Sequence, residues 1–191
     1  MAVRFDAGRI CLDLLATDHP VERLDGVGAL RAWIAGAGLV PAGTSLEHAG
    51  PGWVGEFRAL REQVGRLVRP VPEEEASYES ALGFVNAAAR AATPVPCAVR
   101  RCDGSLGREL AAPPGCAALL ALLARDAVEL LTDPVARAAV RQCAGDACPL
   151  VYLDTSRGRR RRWCSSEVCG NRERVARHRR RAAGTSGPAV A

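Results

Sequence analysis

The sequence predicts a mainly α (α+β) chain: a multihelical N-terminal domain with one β-hairpin, then a small four-cysteine module built as a β-hairpin followed by a helix. Three observations predict it. Apolar residues recur at helical spacing through most of the first 138 residues, one segment alternates instead about an Asp-Gly turn, and two matched cysteine pairs stand in an arginine-rich stretch.

The first amphipathic helix is expected over Leu24–Leu39, where Leu24, Val27, Leu30, Ile34 and Ala37 lie close to one face and Gly38 with Pro41 ends the run. A second is expected over Pro51–Val68 through Val54, Phe57, Leu60, Val64 and Leu67, with Pro70 and Pro72 stopping it. Glu73, Glu74 and Glu75 suit the positive end of a third helix, which would turn Tyr78, Leu82, Val85, Ala88 and Ala89 inward. "VPCAVRRCDGSLGREL" alternates on both sides of Asp103-Gly104 and reads as a hairpin. A strongly apolar helix over Cys116–Leu131 follows, and Asp133-Pro134 starts a short helix leading into Arg141. The expected organisation is a helical domain over 1–138, the cysteine module over 139–183 and a flexible tail over 184–191.

Composition bounds the function. Hydrophobic residues make up 48% and charged residues 25% of the 191, the balance of a soluble globular protein. The apolar run from Cys116 to Ala124 is too short to span a membrane, and Arg4, Asp6, Arg9 and Asp13 interrupt any export signal. A cytoplasmic location follows, where paired cysteines favour metal over disulfides.

Charge is unevenly placed. Arg141–Arg181 holds 12 arginines against four acids, a net +8, whereas the rest of the chain carries 14 arginines against 17 acids, a net −3. A positive field confined to one module points to a polyanionic partner, nucleic acid first among them.

Cys143, Cys148, Cys164 and Cys169 form a C-x4-C-x15-C-x4-C pattern. Two close pairs far apart in sequence suit one structural Zn2+ per chain, each pair bringing two thiolates to a tetrahedral ion. A closed shell of four thiolates leaves no place for substrate, so the metal would fold the module and take no part in catalysis. Residues 150–153 are expected to form a strand, Thr155-Ser156-Arg157-Gly158 a turn and Arg159–Trp163 the returning strand, with a helix over Asn171–Arg181. Gly170 would let the backbone pass the metal closely. Cys11, Cys97, Cys102 and Cys116 read as buried free thiols.

Candidate nucleic-acid contacts are Arg159, Arg160, Arg161 and Arg162 on the hairpin, and Asn171, Arg172, Arg174, Arg177, Arg179, Arg180 and Arg181 on the helix. Arginine can neutralise phosphate or fork onto guanine. Spacing puts Arg174, Arg177, His178 and Arg181 on one helix face, with Val175 off it and able to pack on the metal core, and lets Glu173 pair with Arg177. Arg160 and Arg162 would share one side of the returning strand, and Arg159, Arg161 and Trp163 the other. Asn171 is either the cap of the last helix or an adenine reader, and Trp163 either a module-core residue or a stacking platform.

"CSSEVCGNR", with "DTSRGRRRRWC" before it, resembles the CGNR zinc-finger family, and "CLDLLATDHP" resembles the opening of the ABATE domain that commonly precedes that finger. The sequence departs at Ala16, where relatives usually show asparagine before the threonine matching Thr17, and at Arg174, where a lysine shortly after the tetrapeptide is usual. The resemblance implies a bacterial transcription regulator, some relatives being linked to stress responses. A regulator would bind double-stranded DNA through the zinc module, with the helical domain sensing a small-molecule effector or forming a homodimer. RNA binding is the alternative, although aromatics total only 4%. An enzyme in the N-terminal domain would have to use Asp13, Asp18 and His19, but no phosphate loop or nucleophile motif accompanies them, so an enzyme is not expected.

Overall fold

The computed structural model describes residues 5–69 and 74–184. Among them are seven α-helices and two separate two-stranded antiparallel hairpins. Pro70, Pro72, Glu73 and the tail from 185 on lie outside the described residues.

Helix α1, Ile10–Leu15, came with no amphipathic stripe to announce it, because Cys11, Leu12, Asp13, Leu14 and Leu15 are all buried. A 3-10 turn, Ala16–Asp18, extends it. Helix α2, Val27–Gly36, is shorter at both ends than its apolar residues suggest. Leu24 and Leu39 are buried from the flanking loops. Gly38, at φ +69°, reverses the chain while the Leu39 amide returns to the Ile34 carbonyl at 3.2 Å, a Schellman closure.

Helix α3, Pro51–Val68, coincides with its sequence pattern: Pro51 occupies the first turn, and Val54, Phe57, Leu60, Val64 and Leu67 are all buried. Helix α4, Glu75–Ala89, buries Ala81 and Val85 and lays Tyr78, Leu82, Ala88 and Ala89 against the core. Strands β1, Pro96–Arg100, and β2, Leu106–Leu110, pair with Ala98 opposite Arg108. Gly104 at φ +83° makes their turn, and the Asp103 carboxylate accepts from the Ser105 amide at 2.9 Å and its hydroxyl at 2.6 Å. Helix α5, Cys116–Thr132, buries Leu119, Leu120, Leu123, Ala124, Ala127 and Leu130 and packs against α1, α3 and α4. Asp133 caps α6, Pro134–Arg137, by accepting from the Val135 amide at 2.8 Å and the Ala136 amide at 3.2 Å.

The C-terminal hairpin differs from the expected one. Strand β4, Val151–Leu153, pairs with β3, Val140–Gln142, which precedes the first cysteine pair; Tyr152 stands opposite Arg141. Residues 159–163 form no strand. The reason is local: Arg159 sits at φ +47°, and side-chain bonds, described below, replace a ladder. Helix α7, Cys169–Gly184, then carries the chain away.

One hydrophobic cluster runs from the helices into the module, taking in Val151, Tyr152 and the four module cysteines. The module therefore does not rely on metal alone for a core. Among the remaining cysteines only Cys11 is fully buried; Cys97 and Cys116 are partly so, and Cys102 is exposed at the hairpin turn.

Candidate metal centre and nucleic-acid interface

Cys143 and Cys148 flank a short loop between β3 and β4, closed by the Cys148 amide on the Gly145 carbonyl at 3.1 Å and by Ala147 at φ 55°. Cys164 and Cys169 flank the turn entering α7, where the Ser165 hydroxyl accepts from the amides of Glu167 at 3.1 Å and Val168 at 3.2 Å. Two hydrogen bonds join the halves: the Ala144 amide donates to the Arg162 carbonyl at 2.8 Å, and the Cys164 amide donates to the side-chain sulfur of Cys143 at 3.2 Å.

All four Sγ atoms lie within 4.8 Å of one another, with Cys148–Cys164 at 3.8 Å and Cys164–Cys169 at 3.6 Å. A tetrahedral ion with metal–sulfur bonds of about 2.3 Å requires sulfur–sulfur edges of about 3.8 Å, so the donor set fits one such ion. Burial pushes Cys148 up to about 11 and raises Cys164 further. At Cys143 burial acts the same way, but the amides of Cys164 and Gly145 together with the thiols of Cys148 and Cys164 outweigh it, and the thiol falls below its ordinary range. A cation is what would let all four be thiolates together.

The glycine nearest the sulfurs is Gly145 and not Gly170. A Cβ on Gly145 would come within 3.3 Å of Cys169 Sγ and 3.5 Å of Cys143 Sγ; one on Gly170 would instead meet the Ser165 carbonyl at 3.3 Å and the Trp163 ring at 3.6 Å.

Between the cysteine pairs, Asp154 organises the loop. The residue is only 2% exposed. Its carboxylate accepts from the Ser156 hydroxyl at 2.6 Å, the Ser156 amide at 3.0 Å and the Arg161 amide at 3.0 Å. Led by the Ser156 hydroxyl, these donors hold its pKa below the usual carboxylate range. The Arg161 guanidinium turns inward: it lies over the Tyr152 ring and donates to the carbonyls of Trp163, at 2.9 Å, Cys164 and, at 3.3 Å, Asp6. Asp154-Thr155-Ser156 is an Asx-turn signature that sequence reasoning passed over as a plain turn. Nothing in the sequence marks Tyr152 as Arg161's platform.

The arginines thus divide. Arg161 braces the loop. Arg174 donates to the carbonyls of Ser166 at 3.0 Å and Gly170 at 3.3 Å. Glu173 pairs with Arg180 at 2.8 Å, not with the expected Arg177. Arg159, Arg160, Arg172, Arg177 and Arg179 are exposed, as is Arg157, and among the described residues their guanidiniums take no hydrogen bond or ion pair. Arg162 stacks 5.4 Å from the Trp163 ring centroid, and Arg181 is exposed with interactions of its own. Trp163 is half-buried against the core, the first of its two readings. Asn171 is exposed inside α7, two residues past its start, so it is not the cap. Val175 is 43% exposed and does not pack on the cysteines.

The N-terminal trio does not share partners. Asp13 is buried and accepts from the Ala7 amide, Asp18 pairs with Arg69 at 3.5 Å, and His19 lines a cleft. That cleft, about 290 Å³, separates Ala16, Pro20 and Arg23 from Leu150, Val168 and Arg172 beside the cysteines. Nearby, Arg61 clamps Glu22 at 2.8 and 2.5 Å and donates to the buried Thr17 hydroxyl at 2.8 Å.

Two family patterns match the chain. The one described as "Putative stress-induced transcription regulator", ABATE, covers residues 8–134, and the CGNR zinc finger covers 139–182. No curated protein matches the chain. With more than half of its length under the first pattern and the four-cysteine centre under the second, the chain belongs to the ABATE family and carries a CGNR zinc finger.

Proposed function

We propose that the chain is a transcription regulator that binds double-stranded DNA through its zinc finger, with one structural Zn2+ held by Cys143, Cys148, Cys164 and Cys169. The observation that carries this reading is the partition of the arginines. Arg157, Arg159, Arg160, Arg172, Arg177 and Arg179 leave their guanidiniums uncommitted on two elements that meet at one cysteine centre. Uncompensated like charges at such density repel one another, and a phosphate backbone relieves that repulsion. An α-helix fits the major groove, which supports DNA over A-form RNA, whose major groove admits no side-chain reading. Both families are described as regulator or zinc-finger types, which supports a non-catalytic role. Among the described residues no helix is long and apolar enough to cross a membrane.

The test is anisotropy titration of metal-loaded protein against a DNA duplex selected from random sequence, a scrambled duplex and an RNA duplex, across salt. Preference for the selected duplex with a steep salt dependence supports the reading; equal binding to all three replaces it with non-specific polyanion association. For effector sensing, the cleft between the Ala16–Arg23 segment and the cysteine turns is the supporting observation, because a ligand there would touch both halves.

A further inference from the structure

The loop carrying Arg157, Arg159, Arg160 and Arg162 has no ladder of its own, so something else must order it. Its anchors are Asp154 and Arg161, and both lead back to a segment about 150 residues earlier. Ala7 is held at both ends of its peptide: its amide donates to the buried Asp13 carboxylate at 2.9 Å, and its carbonyl accepts the Leu153 amide at 2.7 Å. The Asp6 carbonyl accepts Arg161 Nη2 at 3.3 Å. Gly8, at φ +87°, lies so close to β4 that a Cβ there would stand 3.1 Å from Leu153 Cβ and 3.3 Å from its carbonyl oxygen. Leu153 is followed directly by Asp154, whose carboxylate fixes Ser156 and Arg161.

We infer that Asp6–Gly8 is a strap through which the helical domain positions the arginine loop for nucleic acid, with Asp13, Ala7 and Gly8 as positioning residues that touch no ligand. The inference rests on the proposed DNA-binding role for its functional consequence, though not for its structural one. A loop ordered before binding avoids the conformational entropy that a loose one surrenders on the phosphate backbone. The strap therefore sets affinity from outside the finger, and anything that moves α1 reaches the arginines through three consecutive hydrogen-bonded groups.

The experiment uses full-length, zinc-loaded protein as wild type, Gly8→Ala, Asp13→Ala and Asp13→Asn. Asparagine keeps an oxygen for the Ala7 amide; alanine does not. Three quantities are read: metal per chain, amide hydrogen exchange at Leu153, Ser156 and Arg161, and affinity for a short DNA duplex. Gly8→Ala and Asp13→Ala are expected to retain the metal and the helical circular dichroism, raise exchange at all three amides by about tenfold or more, and weaken the duplex by about 5- to 20-fold. Asp13→Asn restores wild-type exchange and affinity. Faster exchange at Leu153 with Ser156 and Arg161 unchanged overturns the strap, as does equal loss in Asp13→Asn and Asp13→Ala. Should Gly8→Ala fail to fold, the Asp13 pair decides alone. If exchange rises as expected while the wild type ignores DNA, the strap stands and the DNA-binding role falls. If the duplex binds all variants equally despite faster exchange, the positioning role is overturned.

Discussion

The guanidinium of Arg161 lies 4.3 Å from the centroid of the Tyr152 ring, and the Tyr152 hydroxyl donates back to the Arg161 carbonyl at 2.6 Å. Each residue thus binds the other twice, once through a cation–π contact and once through a hydrogen bond. Arg161→Ala removes the ring contact and strands three carbonyls, and is expected to cost about 2–4 kcal/mol in urea denaturation of the metal-loaded protein. Arg160→Ala, whose guanidinium is exposed, should leave the midpoint within about 0.5 kcal/mol. Equal effects from the two would contradict the division between bracing and free arginines.

Metal content tests the cysteine centre. Elemental analysis of protein prepared without chelator should give one zinc per chain, and Cys164→Ser should lose it and loosen residues 139–184 while the helices of the N-terminal domain persist. Gly145→Ala is the subtler variant, since its methyl would crowd Cys169 Sγ and Cys143 Sγ. It should weaken zinc in a chelator competition by about tenfold, the size of effect typical of a change just outside a ligand shell. Unaltered competition would show that the loop can give way.

Affinity and specificity should separate among the exposed arginines. With Arg141, Arg161, Arg174 and Arg180 engaged by acceptors of the chain itself, about four to six phosphate contacts remain, giving a double-logarithmic salt slope of about −4 to −5 on duplex DNA. Arg160→Ala or Arg179→Ala should lower that slope by about one each on any sequence. Arg172→Ala, at the start of α7, should instead cost about 1–3 kcal/mol on the selected site and little on a scrambled one. Parallel titrations of both duplexes distinguish the outcomes.

Two carboxyls should give opposite pH signatures. Burial raises Asp13 from 3.8 to about 6, opposed by the Ala7 amide and assisted by Asp6 and Asp126. Between those values the folded state holds the extra proton, so this group's contribution falls as pH rises and becomes a standing penalty above pH 6. Asp13→Asn should therefore be more stable than wild type at pH 7.5 by about 1–3 kcal/mol and nearly equal at pH 4. Glu22, hydrogen-bonded to Arg61, is lowered from 4.5 to about 2. Its stabilisation is present above pH 4.5 and is lost as pH falls toward 2, so Glu22→Gln should destabilise at pH 7 and converge on wild type in acid. Denaturant midpoints across pH check both signs.

Much of the architecture was legible in local pattern. The span Pro51–Val68, the hairpin about Asp103-Gly104, the Asp133 cap and the four cysteines all follow from interactions a few residues apart: helical spacing, turn chemistry, paired donors. Helix α1 was not legible, because a short helix buried on every side has no stripe. Nor was the true partner of Val151–Leu153, since alternation says that a segment is a strand without saying what it pairs with.

By itself, then, the sequence determined the helical class, the pairing of the four cysteines that cluster in the module and the concentration of positive charge there, each a matter of residue type and short spacing. Tertiary structure decided which arginines are free. Arg160 and Arg161 are chemically identical neighbours, yet one is exposed and the other lies on Tyr152 and reaches the Asp6 carbonyl. That difference arises because Asp154 turns the chain between them and the N-terminal strap supplies an acceptor from about 150 residues away, and a guanidinium goes inward only where carbonyls and a ring face are assembled to replace its water.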